Sequence, residues 1–313
     1  MRFCNRGFAL LLGLPLVLSS LPLAKADPGL AGQIDRVING PNYKQARWGI
    51  LVVDAATGKS IYEHDADRLF IPASTTKLYS CAAALAALGP DYRFETPVYR
   101  RGHLKDGELR GDLILVAQGD LTLGGRTDAH GKVMFKDNDH IYAEFDTKTG
   151  LTDTDPLAGL NNLARQVAAA GIRRVLGEVL IDDRLFEHSS GTGSGPDQLT
   201  PILVNDNVVD IVVKPGEKPG DPARVQVRPE TSYVQLDAQV ATVATGKKST
   251  LTLHVPAPGR LIVRGLIAAN SPPRIGIYAV EQPANFARAL FIEALRRHGV
   301  AVSASPLANP AVD

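Results

Sequence analysis

The sequence has 313 residues, a formal net charge of +1 at neutral pH and only two cysteines. A charge so close to zero argues against a nucleic-acid partner, which would normally require a basic surface. Cys4 falls in the N-terminal leader and Cys81 is then alone, so an internal disulfide is excluded and the fold must depend on its hydrophobic core.

The leader has the organisation of a secretory signal peptide. A positive start, an apolar segment and a small-x-small cleavage site follow one another at Arg2, Arg6, residues 8–18 and Ala24-Lys25-Ala26. The apolar segment is too short and too broken for a stable membrane span, although an uncleaved anchor is the alternative. The prediction is a periplasmic or secreted protein that begins at Asp27, with a formal charge of −2 once the three basic residues of the leader are removed.

Local patterns predict the first elements of the mature chain. Residues 28–39 indicate a short amphipathic helix, and residues 48–54 a buried strand. The turn at residues 55–59 then leads to a hairpin partner at residues 60–64. We expect Pro72 to preset an extended approach to the next helix.

That next helix opens at Ser74 and ends at Gly89-Pro90, a typical stop signal. Its Ala- and Leu-rich residues are apolar nearly all round, which predicts burial in the centre of a domain. Cys81 should pack there as a small apolar residue.

Ser74 and Lys77 are three residues apart and should share one face of the first turn. A serine hydroxyl becomes a strong nucleophile when a neighbouring group takes its proton, and a lysine can do so if burial lowers its pKa. The pattern S-x-x-K is the nucleophile motif of class A β-lactamases and penicillin-binding proteins. The alternative is a serine that only caps the helix beside a solvated lysine.

After residue 92 the pattern of predicted secondary structure changes twice. Strands near residues 94–99 and 111–117, a polar stretch to about residue 155, a helix at 156–170 and a strand at 175–182 have α/β character. A β-rich region follows, with predicted strands near residues 204–213, 224–228, 233–243, 249–255, 259–266 and 274–280. An amphipathic helix at residues 283–298 precedes a tail rich in Ala and Pro.

The segment Ile71-Pro72-Ala73-Ser74-Thr75-Thr76-Lys77 resembles the active-site segment of class C low-molecular-mass penicillin-binding proteins. Further segments are similar to recurrent parts of that family: Gly119-Asp120, residues 179–186, residues 204–207 and the helix after Val280-Glu281-Gln282-Pro283. The resemblance covers nearly all of residues 28–302.

The resemblance implies an α/β (α+β) fold in which a penicillin-recognising serine enzyme lobe carries inserted β-rich and α/β lobes. The partial catalytic lobe would comprise residues 27–91 and 274–313, and the accessory lobes residues 92–273. It also implies a D-alanyl-D-alanine carboxypeptidase or endopeptidase that acts on peptidoglycan peptides through an acyl-enzyme and is inhibited by β-lactams. Ser74 would be the nucleophile, Lys77 the general base, and the Ser74 backbone N–H one oxyanion donor.

Two further motifs of such enzymes are Ser-x-Asn and Lys-Thr-Gly. The sequence contains no Ser-x-Asn, and Lys148-Thr149-Gly150 lies far upstream of the family's position, so we interpret it as a coincidence in a turn. We therefore expect the catalytic lobe to be incomplete at the C-terminal end and the chain as written to be catalytically poor. A non-catalytic protein that binds peptidoglycan peptides, or a serine β-lactamase, is the alternative.

No cofactor or metal is predicted. The seven histidines show no H-E-x-x-H or comparable spacing, and there is neither a Gly-x-Ser-x-Gly elbow nor a phosphate-binding loop. Five acidic residues are expected to be solvated turn residues, with a cation loop as the alternative: Asp120, Asp137, Asp139, Asp182 and Asp183.

Overall fold

The computed structural model describes residues 28–191, 193, 195–308 and 310. The signal-peptide prediction concerns residues 1–26 and lies outside the described residues. The chain divides into two compact units, one up to Tyr92 and one from Arg93 onward. None of the helices in the described ranges is long and apolar enough to cross a bilayer.

The first unit combines two helices with a β-hairpin. Its elements are α1 (Pro28–Ile38), β1 (Ile50–Val53), β2 (Ser60–His64), a 3-10 turn (Ala73–Thr75) and α2 (Thr76–Leu88). β1 and β2 pair antiparallel, with Ile50 opposite His64 and an irregularity between Val52 and Val53. The predicted helix, hairpin and serine helix are confirmed.

Asp54 organises the turn of this hairpin. Its Oδ1 accepts hydrogen bonds from the Thr57 hydroxyl at 2.8 Å, the Thr57 N–H at 2.7 Å and the Ala56 N–H at 3.1 Å. These bonds, that of the Thr57 hydroxyl first, hold the pKa of the Asp54 carboxyl below its usual range. Gly58, with a φ of +68°, completes the reversal.

The burial predicted for α2 is wrong. No residue of this helix is buried, and Leu78, Leu85 and Leu88 are 73%, 58% and 53% exposed. Cys81 is exposed as well, so it does not pack as a core residue. An apolar sequence favours burial, but a short hairpin and one amphipathic helix offer too little surface to cover a helix that is apolar nearly all round.

The second unit begins with a mixed sheet around β4 (Glu108–Val116). β3 (Val98–Lys105) pairs with it antiparallel, whereas β5 (Arg174–Val175) and β6 (Val179–Asp182) pair with it in parallel. β15 (Ala301–Val302) adds in parallel to β5. The helices of this unit are α3 (Ala158–Ala169) and α4 (Pro283–Arg297), which pack against each other.

Two three-stranded sheets form the β-rich part of this unit. In the first, β9 (Val208–Lys214) lies between β10 (Arg224–Arg228) and β14 (Arg274–Ala279), antiparallel to both. In the second, β13 (Arg260–Ala268) pairs in parallel with β11 (Gln235–Val243) and antiparallel with β12 (Thr250–Ala257). A short antiparallel pair of strands, β7 (Ser189–Ser190) and β8 (Gln198–Leu199), precedes these two sheets in the sequence. The mixed α/β fold class is confirmed.

The C-terminal elements are built into the second unit. β14 pairs with β9, and the buried Arg288 of α4 donates to the Val179 carbonyl at 2.6 Å and to the Glu178 carboxylate at 2.6 Å. These bonds satisfy a guanidinium that is only 2% exposed. The grouping of residues 274–313 with 27–91 in one catalytic lobe, and of 92–273 as accessory lobes, stays a prediction.

Candidate functional site

The predicted nucleophile lies at a sharp change of backbone direction. Pro72 has a φ of −72° and a ψ of −21°, so the expectation that it presets an extended approach is wrong. Ala73 follows with a φ of +45°, and Ser74 and Thr75 complete the 3-10 turn that leads into α2. The Thr75 N–H donates to the Pro72 carbonyl at 3.0 Å, and the Thr75 hydroxyl donates to the same oxygen at 2.5 Å.

The structure brings the two predicted site residues together. Lys77 Nζ donates to Ser74 Oγ at 2.8 Å, as residues three apart in a helical turn can. The helix N-caps are Pro72 for the 3-10 turn and Thr75 for α2, and neither side chain accepts a hydrogen bond from a backbone N–H of the helix that it precedes. Ser74 is therefore oriented by the lysine and is not the capping residue of the alternative interpretation.

Both side chains of this pair are exposed. An amine must be neutral to take a proton, and burial is one way to favour its neutral form. The described residues of the first unit do not supply that burial. The geometry of a nucleophile and a base is thus present, while the roles of Ser74 and Lys77 stay a prediction.

Lys148-Thr149-Gly150 forms a turn of the second unit. Asp146 Oδ1 accepts from the Thr149 N–H at 2.9 Å and from the Lys148 N–H at 2.5 Å, and Oδ2 accepts from the Thr149 hydroxyl at 2.8 Å. These bonds, that of the Thr149 N–H first, hold the pKa of Asp146 below its usual range. The segment is therefore ordered by its own turn, as Asx turns are.

A second polar arrangement was missed by sequence reasoning. Three cationic and three carboxylate side chains meet in the second unit and are called the ionic cluster below: Arg126, Asp139, His140, Asp206, Asp210 and Arg228. His140 is 2% exposed and Asp210 is fully buried. The prediction that Asp139 is a solvated turn residue is wrong, because its side chain is 16% exposed and ion-paired.

Hydrogen bonds connect the cluster throughout. Arg126 binds both oxygens of Asp139 at 2.8 Å and Asp206 Oδ2 at 2.5 Å. His140 Nε2 lies 2.9 Å from Asp206 Oδ2, and Nδ1 lies 2.5 Å from Asp210 Oδ1. Arg228 donates to Asp210 Oδ2 at 3.1 Å.

These contacts shift the ionisation of the cluster. Burial alone lowers the pKa of His140, but the hydrogen bonds to Asp206 and Asp210 more than reverse this and raise it to about 9. Burial alone raises the pKa of Asp206, but His140 and Arg126 lower it below its usual range. With His140 protonated, three positive charges face three negative charges, which is the condition under which buried charges are tolerated.

Asp139, His140 and Asp206 also have the spacing of a metal-binding group, since one ligand atom of each lies within 4.8 Å of the others. The Arg126 guanidinium, however, contacts the same carboxylate oxygens. A protonated imidazole has no free lone pair for a metal. The Arg126 guanidinium thus occupies the position beside these oxygens that a metal ion would take.

Two sequence signals touched the cluster: Asp139 stood among the candidate cation-loop residues, and a recurrent family segment was similar to residues 204–207. There, Asn205, Asp206 and Asn207 have φ values of +51°, +55° and +55°. Three consecutive non-glycine residues with positive φ are uncommon, and side-chain hydrogen bonds hold them in place. No spacing rule connects residue 126 or 140 with this segment.

Comparison with known proteins places these features in a family context. The sequence model of the D-Ala-D-Ala carboxypeptidase 3 (S13) family matches residues 30–310. The chain is 29% identical to a D-alanyl-D-alanine carboxypeptidase of Actinomadura sp. over 92% of its length and 52% of that protein. It is 21% identical to the D-alanyl-D-alanine carboxypeptidase DacB of Haemophilus influenzae over 80% of its length and 48% of that protein.

The fold is that of penicillin-binding protein 4. The crystal structure of the Haemophilus influenzae protein aligns with a TM-score of 0.56 and 22% identity, over 81% of this chain and 51% of the other. A second crystal structure of that protein, in complex with a β-lactam, aligns with a TM-score of 0.52. The chain spans about half the length of the curated relatives that it matches.

Proposed function

Because the chain belongs to the D-Ala-D-Ala carboxypeptidase 3 (S13) family, we propose that it is a serine-type D-alanyl-D-alanine carboxypeptidase or endopeptidase acting on peptidoglycan peptides. The observation that carries the proposal is the 2.8 Å hydrogen bond from Lys77 Nζ to Ser74 Oγ. This contact joins the side chain that would attack the peptide to the side chain that would take its proton.

The reaction proceeds through an acyl-enzyme. The neutral Lys77 amine takes the proton of the Ser74 hydroxyl while Oγ bonds to the carbonyl carbon of the penultimate D-alanine. The Ser74 N–H stabilises the oxyanion. The C–N bond then breaks, the terminal D-alanine leaves with the proton on its amine, and water cleaves the ester to restore Ser74.

A β-lactam would follow the first half of this reaction. Its strained amide is attacked by Ser74 Oγ, and the ring opens to leave a covalent ester. A structure of the Haemophilus influenzae relative was determined in complex with a β-lactam. We extend this inhibitor class, and peptidoglycan peptides as substrates, to the present chain on the basis of family membership.

Export belongs to the same proposal. Peptidoglycan lies outside the cytoplasmic membrane, and the leader at residues 1–26 has the pattern of a cleaved secretory signal. N-terminal sequencing of the periplasmic fraction should find Asp27 first. Intact Met1 in that fraction would contradict cleavage.

The second candidate is a protein that binds peptidoglycan peptides without cleaving them. The exposure of Lys77 favours it. A serine β-lactamase, the third candidate, would form the same ester but hydrolyse it rapidly. The persistence of the ester separates the peptidase from the β-lactamase.

Mass spectrometry of the chain incubated with benzylpenicillin tests the proposal. A stable adduct should map to Ser74 and should disappear in Ser74→Ala. Ser80→Ala is the matched control, because Ser80 lies on the same helix and its hydroxyl contacts the Thr76 carbonyl at 3.3 Å. The absence of an adduct would favour the non-catalytic candidate, and an adduct that persists in Ser74→Ala would refute the assignment of Ser74 as the nucleophile. Release of D-alanine from a pentapeptide then measures turnover.

A further inference from the structure

The mixed sheet around β4 has one buried face and one exposed face. Leu109, Leu113 and Leu115 are buried on one side of β4, so the residues that alternate with them point to the other side. Residues directly opposite one another on paired strands share a face. The pairing of β3 and β5 with β4 therefore places four exposed cationic side chains together, called the basic face below: Arg101, Lys105, Arg110 and Arg174.

The acidic side chains on this side of the sheet lie deeper than the cations. Arg101 pairs with Asp112 at 2.8 Å, and their side chains are 64% and 18% exposed. Arg110 pairs with Glu108 at 3.1 Å, with side chains 73% and 32% exposed. Asp112 Oδ1 also accepts from the Glu178 N–H at 2.7 Å, which holds its carboxylate against the sheet. The surface that meets solvent is therefore mainly positive.

Positive charge is concentrated on this face. Its four Arg and Lys side chains outnumber Glu108 and Asp112 by two, whereas residues 27–313 have a formal charge of −2. At the rim of the face, Asp106 of the β3–β4 turn adds a negative charge, and Arg173, next to β5, adds a positive one. A concentrated positive field on a chain that is negative overall favours a polyanionic partner.

The composition of the face favours carboxylates over a lipid bilayer. A membrane-binding surface combines cations with apolar side chains that insert among the lipids. Tyr99, opposite Ile114, lies at the far end of β3, and the positions between this pair and the turn are charged or histidine. An arginine guanidinium, by contrast, matches the planar fork of a carboxylate.

The proposed substrate would present many carboxylates when it is polymeric. A carboxypeptidase acts on peptides whose last residue has a free carboxylate, and each shortened product also ends in a carboxylate. One carboxylate gains little from one exposed cation, but a polymer can engage several cations at once. A flat sheet face suits such a polymer, whereas a small molecule requires a concave pocket.

We propose that the basic face is an accessory binding surface for the carboxylates of polymeric peptidoglycan. This inference rests on the proposed function, which identifies the polymer. Binding through the face retains the chain on insoluble peptidoglycan and so raises the local concentration of peptides, without altering the chemistry at Ser74.

Co-sedimentation with purified insoluble peptidoglycan tests the proposal. The full chain carries Ser74→Ala, so that the polymer is not cleaved during the experiment. Adding Lys105→Gln and Arg174→Gln should weaken binding at low ionic strength about tenfold, because two exposed cations are lost. The matched control adds Lys247→Gln and Lys248→Gln, which remove the same charge from exposed positions between β11 and β12. This control should bind as tightly as the parent.

Two further arms identify the ligand. Peptidoglycan whose carboxylates have been amidated should bind the parent about tenfold more weakly than untreated peptidoglycan. The parent should also bind untreated peptidoglycan more tightly than vesicles of phosphatidylglycerol. Equal binding by the two double variants would overturn the inference. Undiminished binding to the amidated polymer, or tighter binding to the vesicles, would overturn it as well.

Acylation separates this inference from the proposed function. With Ser74 intact, Lys105→Gln/Arg174→Gln should react with benzylpenicillin at the native rate and unfold at the native midpoint, because both side chains are exposed outside the Ser74–Lys77 pair. A native chain that is acylated but does not bind peptidoglycan would overturn the inference alone. A chain that binds peptidoglycan through the basic face but forms no adduct would overturn the proposed catalysis alone.

Discussion

His140 Nδ1 lies 2.5 Å from Asp210 Oδ1, and the Asp210 carboxylate is completely buried at the third residue of β9. The imidazole comes from a 3-10 turn at His140–Tyr142, seventy residues earlier in the chain. Asp210 also accepts from Asn205 and Arg228, each at 3.1 Å. The ionic cluster therefore ties the polar stretch before α3 to the sheet that contains β9.

Removing His140 should destabilise the second unit strongly. In His140→Ala, the buried Asp210 and the partly buried Asp206 each lose a partner, and breaking a buried pair typically costs about 3–5 kcal/mol. Urea unfolding followed by circular dichroism measures the loss. The control is Arg110→Ala, because the Arg110–Glu108 pair is exposed at 73% and 32% and should contribute less than about 1 kcal/mol. Equal losses of stability in the two variants would show that the ionic cluster stabilises the fold no more than an exposed ion pair does.

Stability of the second unit should fall as the pH rises from 6.5 to above 9. His140 has its pKa raised from 6.5 to about 9 in the folded state, so folding favours the protonated form. Its contribution, about 3 kcal/mol, is complete below pH 6.5 and is lost as the pH passes 9. Asp206 has the opposite sign: its lowered pKa contributes stability that is lost as the pH falls in the acid range.

Hydrogen exchange of the β9 amides at several pH values measures the first effect. The His140→Gln variant should lose the dependence between pH 6.5 and 9. Fluorescence of Trp48, the single tryptophan, reports on the first unit and should show no matching transition. The same alkaline slope in His140→Gln would show that another group is responsible.

Gly102 should not tolerate a side chain. Its φ is +109°, and a Cβ added there would collide with the carbonyl oxygen of Arg110 on the paired strand. Gly171 has a φ of +88° but nothing within 4 Å of an added Cβ. We expect Gly171→Ala to cost about 1–2 kcal/mol from backbone strain, and Gly102→Ala to cost more, because the strands must also separate. Thermal unfolding of both variants compares the two costs.

Substitution of two lysines distinguishes the proposed base, Lys77, from the lysine of the Lys148-Thr149-Gly150 turn. Lys77→Ala should slow the acylation of Ser74 by about 10²- to 10⁴-fold, the usual contribution of a general base. Lys148→Ala should leave it unchanged, since Lys148 lies in the turn organised by Asp146. Stopped-flow acylation with a chromogenic β-lactam measures both rates. A collapse on losing Lys148 would show that Lys148-Thr149-Gly150 is a working third motif.

Short-range features of this protein were determined by its sequence alone. α1, the β1–β2 hairpin, α2 and α4 follow from hydrophobic periodicity and from turn residues, which act within a few positions. The Ser74–Lys77 contact is of the same kind, because a separation of three residues in a helical turn places two side chains together whatever the rest of the fold does.

The tertiary structure alone decided what covers each element and which charges meet. The apolar composition of α2 favours burial, but the exposure of the helix depends on which elements pack around it. Arg126, His140 and Asp210 lie far apart in sequence, and they meet because the β4–α3 connection reaches β9. A charged residue in the sequence looks the same whether solvent or a buried partner will neutralise it, so only the folded chain distinguishes Asp139 from a solvated turn residue.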